Sequence, residues 1–157
     1  MNEMKFLIRN ATAADLPILM QFEQGIVNAE RPFDDTLKDG QIHYYDLAEK
    51  IESPTCCVKV IEVNTVVVAS GFAEIRAAKD YYKHHQYGHL GFMYVLPEYR
   101  GKGLNQHLLD ALIQWCKERE VNEIRLEVYP DNLGAIKAYK KVGFEPQLLQ
   151  MRLRQEK

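Results

Sequence analysis

The period of the apolar positions changes several times along the chain, and each change marks an element. Phe6, Leu7 and Ile8, followed by polar residues, predict a strand over Lys5–Asn10. Thr12 then serves as N-cap to a helix over Ala13–Ala29, where Leu16, Leu19, Met20, Phe22, Ile26 and Val27 recur at helical spacing. Asp15 opposes the positive helix end, and Pro17 is tolerated because it falls near the first turn. The stretch Glu30–Ile42 is polar and broken by Pro32 and Gly40, so it reads as a loop, and Tyr44–Glu52 as a short helix stopped before Pro54.

Two β-rich runs follow, Thr55–Val63 and Val66–Ala77, with Asn64-Thr65 as the hairpin turn between them. Lys79–Gln86 is a polar connection, and Tyr87–Leu96 is a strand ended by Pro97. Over Gly103–Glu118 the set Leu104, Leu108, Leu109, Leu112, Ile113 and Cys116 marks an amphipathic helix. Ile124, Leu126 and Val128 alternate with Arg125, Glu127 and Tyr129, predicting a half-buried strand over Glu123–Tyr129. Asn132–Val142 reads as a helix closed by Gly143, and Phe144 with Leu148–Leu153 as terminal strand. Helices packed on a mostly antiparallel sheet, an α+β or layered α/β arrangement, accommodate this order.

At 157 residues the chain has room for one domain with a proper core, and we read residues 1–157 as that single domain. Hydrophobic residues at 46% and charged residues at 27% fit a soluble globular protein, and the net charge of −2 argues against a nucleic-acid binder held by a basic surface. No apolar run approaches the roughly 20 residues of a membrane span. The N-terminus lacks the apolar stretch and cleavage site of a signal peptide, which places the chain in the cytoplasm. Cys56, Cys57 and Cys116 make a poor disulfide framework and read as buried reduced thiols. His84-His85 are adjacent rather than spaced for metal, so no metal is expected, and the segment around them is a candidate lid or dimer contact.

The informative segment runs from His89 to Asn105: a strand, a proline, then Arg100-Gly101-Lys102-Gly103 opening into a helix. A helix start presents unpaired N–H groups and a positive dipole end to phosphate oxygens, and glycines let the backbone approach without a Cβ in the way. Arg100 and Lys102 add charge for the same anion. A Walker A loop would need Ser or Thr after its Lys, where Leu104 stands; a dinucleotide fingerprint would need a third glycine.

Val95–Leu104 resembles the cofactor loop of the GNAT superfamily of N-acetyltransferases. Arg100 and Gly103 match its pattern, and Asn105 stands where Gly or Ala is usual. A second segment is similar to that family's later motif: Asn132, Ala135, Tyr139, then Gly143-Phe144. The resemblance covers about Lys5 to Leu153 and implies the GNAT-type fold and acetyl transfer from acetyl-CoA to a primary amine of a small molecule or peptide. It further implies that main-chain groups of Met93, Tyr94 and Val95 hold the pantetheine arm. The backbone of Arg100, Gly101, Lys102, Gly103, Leu104 and Asn105 would hold the pyrophosphate, with Asn132 also on the cofactor side.

On the same resemblance Tyr139 would protonate the leaving thiolate, and the strands at Tyr87–Leu96 and Glu123–Tyr129 would splay to admit the thioester. Glu74 and His89 are candidates for the base that deprotonates the amine, with water as the alternative. The loop after the first helix would frame the acceptor: Glu30 or Asp34 for the ammonium, Arg31 for a carboxylate or phosphate, and Phe33 with Tyr44 or Tyr45 as an apolar wall. A homodimer is compatible with this reading. The alternative function is an acyl-CoA-binding sensor or scaffold of the same fold without turnover.

Overall fold

The computed structural model describes residues 4–156; Met1–Glu3, the start of the N-terminal stretch read above, and Lys157 lie outside the described residues. The chain divides into two compact units, one ending at Glu127 and one starting at Val128.

The first unit is built on a five-stranded sheet in sequential order: β1 (Leu7–Asn10), β2 (Cys56–Val63), β3 (Val66–Ala77), β4 (Gln86–Val95) and β5 (Ile124–Arg125). The first four strands are antiparallel neighbours, and β5 runs parallel to β4 after a crossover through α3 (Leu104–Glu118). Helices α1 (Leu16–Glu30) and α2 (Leu47–Glu52) complete the unit. The β2–β3 turn needs both central residues in the left-handed region, and Asn64 (φ 51°) and Thr65 (φ 66°) supply it, as the primed hairpin turns require.

Strand residues alternate between the faces, and the two faces take different helices. Val58, Val60, Phe72 and Phe92 pack with Leu19, Phe22 and Leu47 of α1 and α2. Gly71, on the other face, lies under Leu112 of α3 and Met93. Leu108, Leu109, Leu112 and Cys116 of α3 are essentially fully buried, each large side chain stabilising the unit by about 1.5–3 kcal/mol relative to exposure. All three cysteines are buried free thiols; burial raises the Cys56 and Cys116 thiols to about 12 and about 11, which keeps them unreactive.

Three elements differ from the sequence expectation, each for a hydrogen-bonding reason. The first helix opens as a 3₁₀ turn (Ala13–Asp15), because the Asp15 carboxylate accepts the Thr12 N–H at 2.7 Å and pairs with Arg9. The second helix begins at Leu47 rather than Tyr44: Asp46 caps it by accepting the Glu49 N–H, while the N–H groups of Tyr44 and Tyr45 go to Glu23. The strand expected over Glu123–Tyr129 shrinks to Ile124–Arg125, since β4 offers it partners only at Gly88 and His89.

In the second unit, α4 (Leu133–Val142) is capped by the Asn132 side chain and closed by Gly143 at φ 119°. The N–H groups of Gly143 and Phe144 both reach the Tyr139 carbonyl. Residues 144–156 form no strand, and Leu148, Leu149, Met151 and Leu153 are exposed. An alternating pattern becomes a strand only where another edge supplies its hydrogen bonds, and among the described residues none does so here.

No helix among the described residues is long and apolar enough to cross a membrane.

Candidate functional site

The site grows from an irregularity in β4. On β3, Ser70 pairs with Tyr94 and Phe72 with Gly91, so Gly71 faces the two residues Phe92 and Met93: a bulge. Phe92 takes φ 60°, a conformation costing a non-glycine residue about 1–3 kcal/mol unless its surroundings enforce it. Here they do: its ring is buried among Phe72 and Tyr45, and the buried Ser70 hydroxyl donates to its carbonyl at 3.2 Å.

Pairing of β4 with β5 ends at His89, and among the described residues the strand ladder from Leu90 to Val95 runs to β3 on one side, leaving the other edge without a strand partner. An extended ligand can add to such an edge as a strand would. Met93 turns its sulfur over Gly71, and Tyr94 packs into the face of α1, where a Cβ on Gly25 would fall 2.6 Å from its ring.

The strand leads through a 3₁₀ turn (Pro97–Tyr99) into the glycine loop. Gly101 (φ 76°) and Gly103 (φ 80°) are both left-handed, and a Cβ built on either meets no atom within 4 Å. These glycines are therefore required by backbone conformation, and the space over them is open to a ligand. The Gly103 carbonyl accepts from His107, so the N–H groups of Leu104, Asn105 and Gln106 have no acceptor within α3. Open space, N–H groups without an acceptor in the helix and the positive helix end are features that can hold an anion. Arg100 folds back, its Nε donating to the Val95 carbonyl at 2.8 Å and its guanidinium lying over the Tyr94 ring, which fixes the loop to the strand end; Lys102 is exposed.

The two base candidates are cross-strand neighbours, Glu74 on β3 opposite His89 on β4. Burial pushes the Glu74 carboxyl up, but hydrogen bonds and charge from Lys50 and Arg76 outweigh it and hold the group below its ordinary value. Burial, with Arg76 nearby, lowers His89 below the ordinary imidazole value, so its ring is neutral at pH 7. A carboxylate held in two ion pairs is a poor proton acceptor; a neutral imidazole is a competent one.

Of the acceptor residues, Glu30 has its carboxyl raised, by burial first and by Asp34, against the lowering influence of the nearby Tyr44 phenol. Arg31 uses Nη1 and Nη2 on the carbonyls of Lys38 and Gly40, so these two nitrogens hold the loop rather than stand ready for a substrate carboxylate. Phe33 closes the short turn after α1 and is half-buried. Asn132 and Tyr139 belong to the second unit, where Asn132 caps α4 and the Tyr139 ring lies 6.0 Å from that of Phe144.

The connection Lys79–Gln86 is fastened by Arg125, which lies over Tyr82 and Tyr87 and donates to His84 Nε2 at 3.2 Å. Among the described residues no group of three His, Cys, Asp or Glu gathers as a metal site.

Sequence reasoning missed Glu23, Tyr45's inward role, Ser70 and the Phe92 bulge. Only Glu23, a lone acid on the apolar face of α1 beside Phe22, left a readable signal.

The model of the acetyltransferase (GNAT) family matches residues 24–144. The chain is 28% identical over 149 residues to an N-alpha-acetyltransferase of Sulfurisphaera tokodaii, covering 90% of this chain and 81% of that one. It is 37% identical over 60 residues to the uncharacterized N-acetyltransferase YobR of Bacillus subtilis, 38% of this chain and 24% of that protein. The matches to YobR and to two further curated relatives span only about a quarter to a third of the relatives' length. A predicted acetyltransferase of Clostridium acetobutylicum, solved with acetyl-CoA, superposes with a TM-score of 0.73 at 22% identity, covering 96% of each chain.

Proposed function

The chain belongs to the GNAT acetyltransferase family, and from that premise we propose that it transfers an acetyl group from acetyl-CoA to a primary amine of a small molecule or peptide by direct nucleophilic attack. The observation that carries the reading is the continuous path from the one-sided edge of β4, through Gly101 and Gly103, to the free N–H groups at the start of α3. Such a path suits a ligand with an extended amide arm and a pyrophosphate at its end. Acetyl-CoA supplies the activated acyl group.

The protein's groups would then meet three needs. A main-chain N–H beside the Phe92 bulge, near Met93 to Val95, would meet the negative charge developing on the carbonyl oxygen. His89, neutral and close to that edge, accepts the proton of the attacking amine, directly or through water. The Tyr139 phenol, by its place in the second motif, returns a proton to the departing sulfur. A phenol near ~10 and a thiol near ~8.5 are matched closely enough for that transfer. Glu30, with Tyr44 beside it, would meet the ammonium of the acceptor.

The test is thiol release from acetyl-CoA across amino acids, peptides, polyamines and aminoglycosides, with acetyl-CoA binding followed by calorimetry. Binding with release on one amine class is the expected result. Binding without release would turn the reading toward a sensor, and no binding would overturn it.

A further inference from the structure

The connection between α1 and α2 has no regular structure from Asp34 to Asp46, yet its backbone is tied to α1 by side chains. Gln24 holds both main-chain groups of Ile42, donating to the carbonyl at 2.6 Å and accepting the N–H at 3.3 Å. Glu23, one residue before it, does more. Its Oε2 accepts the N–H groups of Tyr44 (2.9 Å) and Tyr45 (3.0 Å), and its Oε1 lies 3.1 Å from His43 Nδ1.

Glu23 is 1% exposed and sits on the buried face of α1 with Leu19, Phe22 and Val27. An apolar residue would fill that face without the cost of burying a carboxylate. What the carboxylate adds is geometry. One oxygen bridging two successive N–H groups fixes the backbone at Tyr44 and Tyr45, and so fixes where both side chains go. Tyr45 turns inward, edge-on to Phe72 (5.1 Å) and Phe92 (5.6 Å), with its phenol in hydrogen-bonding reach of the Phe92 main chain. Tyr44 stays beside it, its ring 5.8 Å from that of Tyr45, with its phenol close enough to Glu30 to favour the ionised carboxyl.

We propose that Glu23 is the positioning residue for the acceptor end of the site: it holds Tyr45 as a brace under the Phe92 bulge of β4 and Tyr44 beside Glu30. The inference rests on the acetyltransferase reading for the word acceptor, and on the hydrogen bonds alone for the fastening. Glu23 touches neither reactant; its effect runs through the loop and the bulge.

The experiment compares Glu23→Ala, Glu23→Gln and Tyr45→Phe with the parent chain, by amide hydrogen exchange, calorimetry with acetyl-CoA and steady-state kinetics. In Glu23→Ala the Tyr44 and Tyr45 amides should exchange at least roughly tenfold faster, and acceptor KM should rise by a similar factor. Protection of β2–β4 and the acetyl-CoA Kd should hold. Glu23→Gln retains an oxygen that can accept both N–H groups and should restore most of the protection and of KM. Tyr45→Phe should lower kcat with acetyl-CoA affinity unchanged, and it carries the test with Glu23→Gln if the alanine variant does not fold.

Unchanged exchange and unchanged acceptor KM in Glu23→Ala would overturn the inference, as would a Glu23→Gln variant that loses acetyl-CoA binding along with loop protection. A parent chain that acetylates no amine would sink the acetyltransferase reading, while the exchange data would still decide whether Glu23 fastens the loop.

Discussion

Replacing Gly103 by alanine separates binding from folding at a single methyl group. Gly103 sits at φ 80° and ψ 4°, immediately before α3, and a Cβ there meets no protein atom within 4 Å. The folded state therefore suffers no clash, only the left-handed backbone penalty of about 1–2 kcal/mol for a residue with a Cβ. Lower entropy of the unfolded chain offsets roughly 0.4–1 kcal/mol of that. A net loss of about 1 kcal/mol lowers Tm by roughly 2–4 °C in a chain of this size.

The binding effect should be much larger, because the new methyl occupies the open space above the N–H groups of Leu104 to Gln106, where a pyrophosphate would lie. Losing one charge-assisted hydrogen bond of about 1.5–3 kcal/mol weakens acetyl-CoA binding roughly 10- to 100-fold. Calorimetric titration with CoA and a thermal melt of the same preparations measure both. A CoA affinity within twofold of the parent would refute the phosphate cradle. A Tm drop beyond about 10 °C would refute the claim that the Cβ enters open space.

Tyr139→Phe should cut kcat by about 10² while leaving acetyl-CoA Kd within twofold, and unchanged turnover would remove the phenol from the mechanism. With His89 as base, kcat/KM should stay level from neutrality down to below the ordinary imidazole value of about 6.5 and fall only as the depressed His89 takes up a proton; the profile of His89→Ala should lose that limb. Asp15 predicts an acid limb in stability. Its carboxyl is held below its ordinary value by bidentate hydrogen bonds from Arg9, against burial, so the stabilisation is complete above about 3.9 and is lost as pH falls through the lower folded value. Urea unfolding of Asp15→Asn should show a loss of about 2–3 kcal/mol at pH 7 that shrinks in acid.

Local chemistry was legible in the sequence wherever one short segment contained all of its own reasons. The glycine loop is such a case: left-handed conformations, a helix start and the absence of side chains all follow from Arg100–Asn105. The Gly143 cap and the Asn64-Thr65 turn are others, as is the α3 stripe, because the helical period alone decides which of its residues are buried.

What the tertiary structure decided are the features whose partners lie far apart in the chain. Nothing in Phe92 announces φ 60°; the bulge exists because β3 supplies one residue against two, with Ser70 pinning the carbonyl from twenty-two positions away. Glu74 read as a candidate base until Lys50, on another element, claimed its carboxylate. Arg31 read as a substrate clamp until the loop carbonyls of Lys38 and Gly40 took its terminal nitrogens. The start of α2 moved from Tyr44 to Leu47 because Glu23 competes for the same N–H groups, and a buried carboxylate must find donors wherever the fold brings them. Sequence fixes which hydrogen-bonding groups exist and which local conformations they favour; only folding decides which distant group is near enough to satisfy each one.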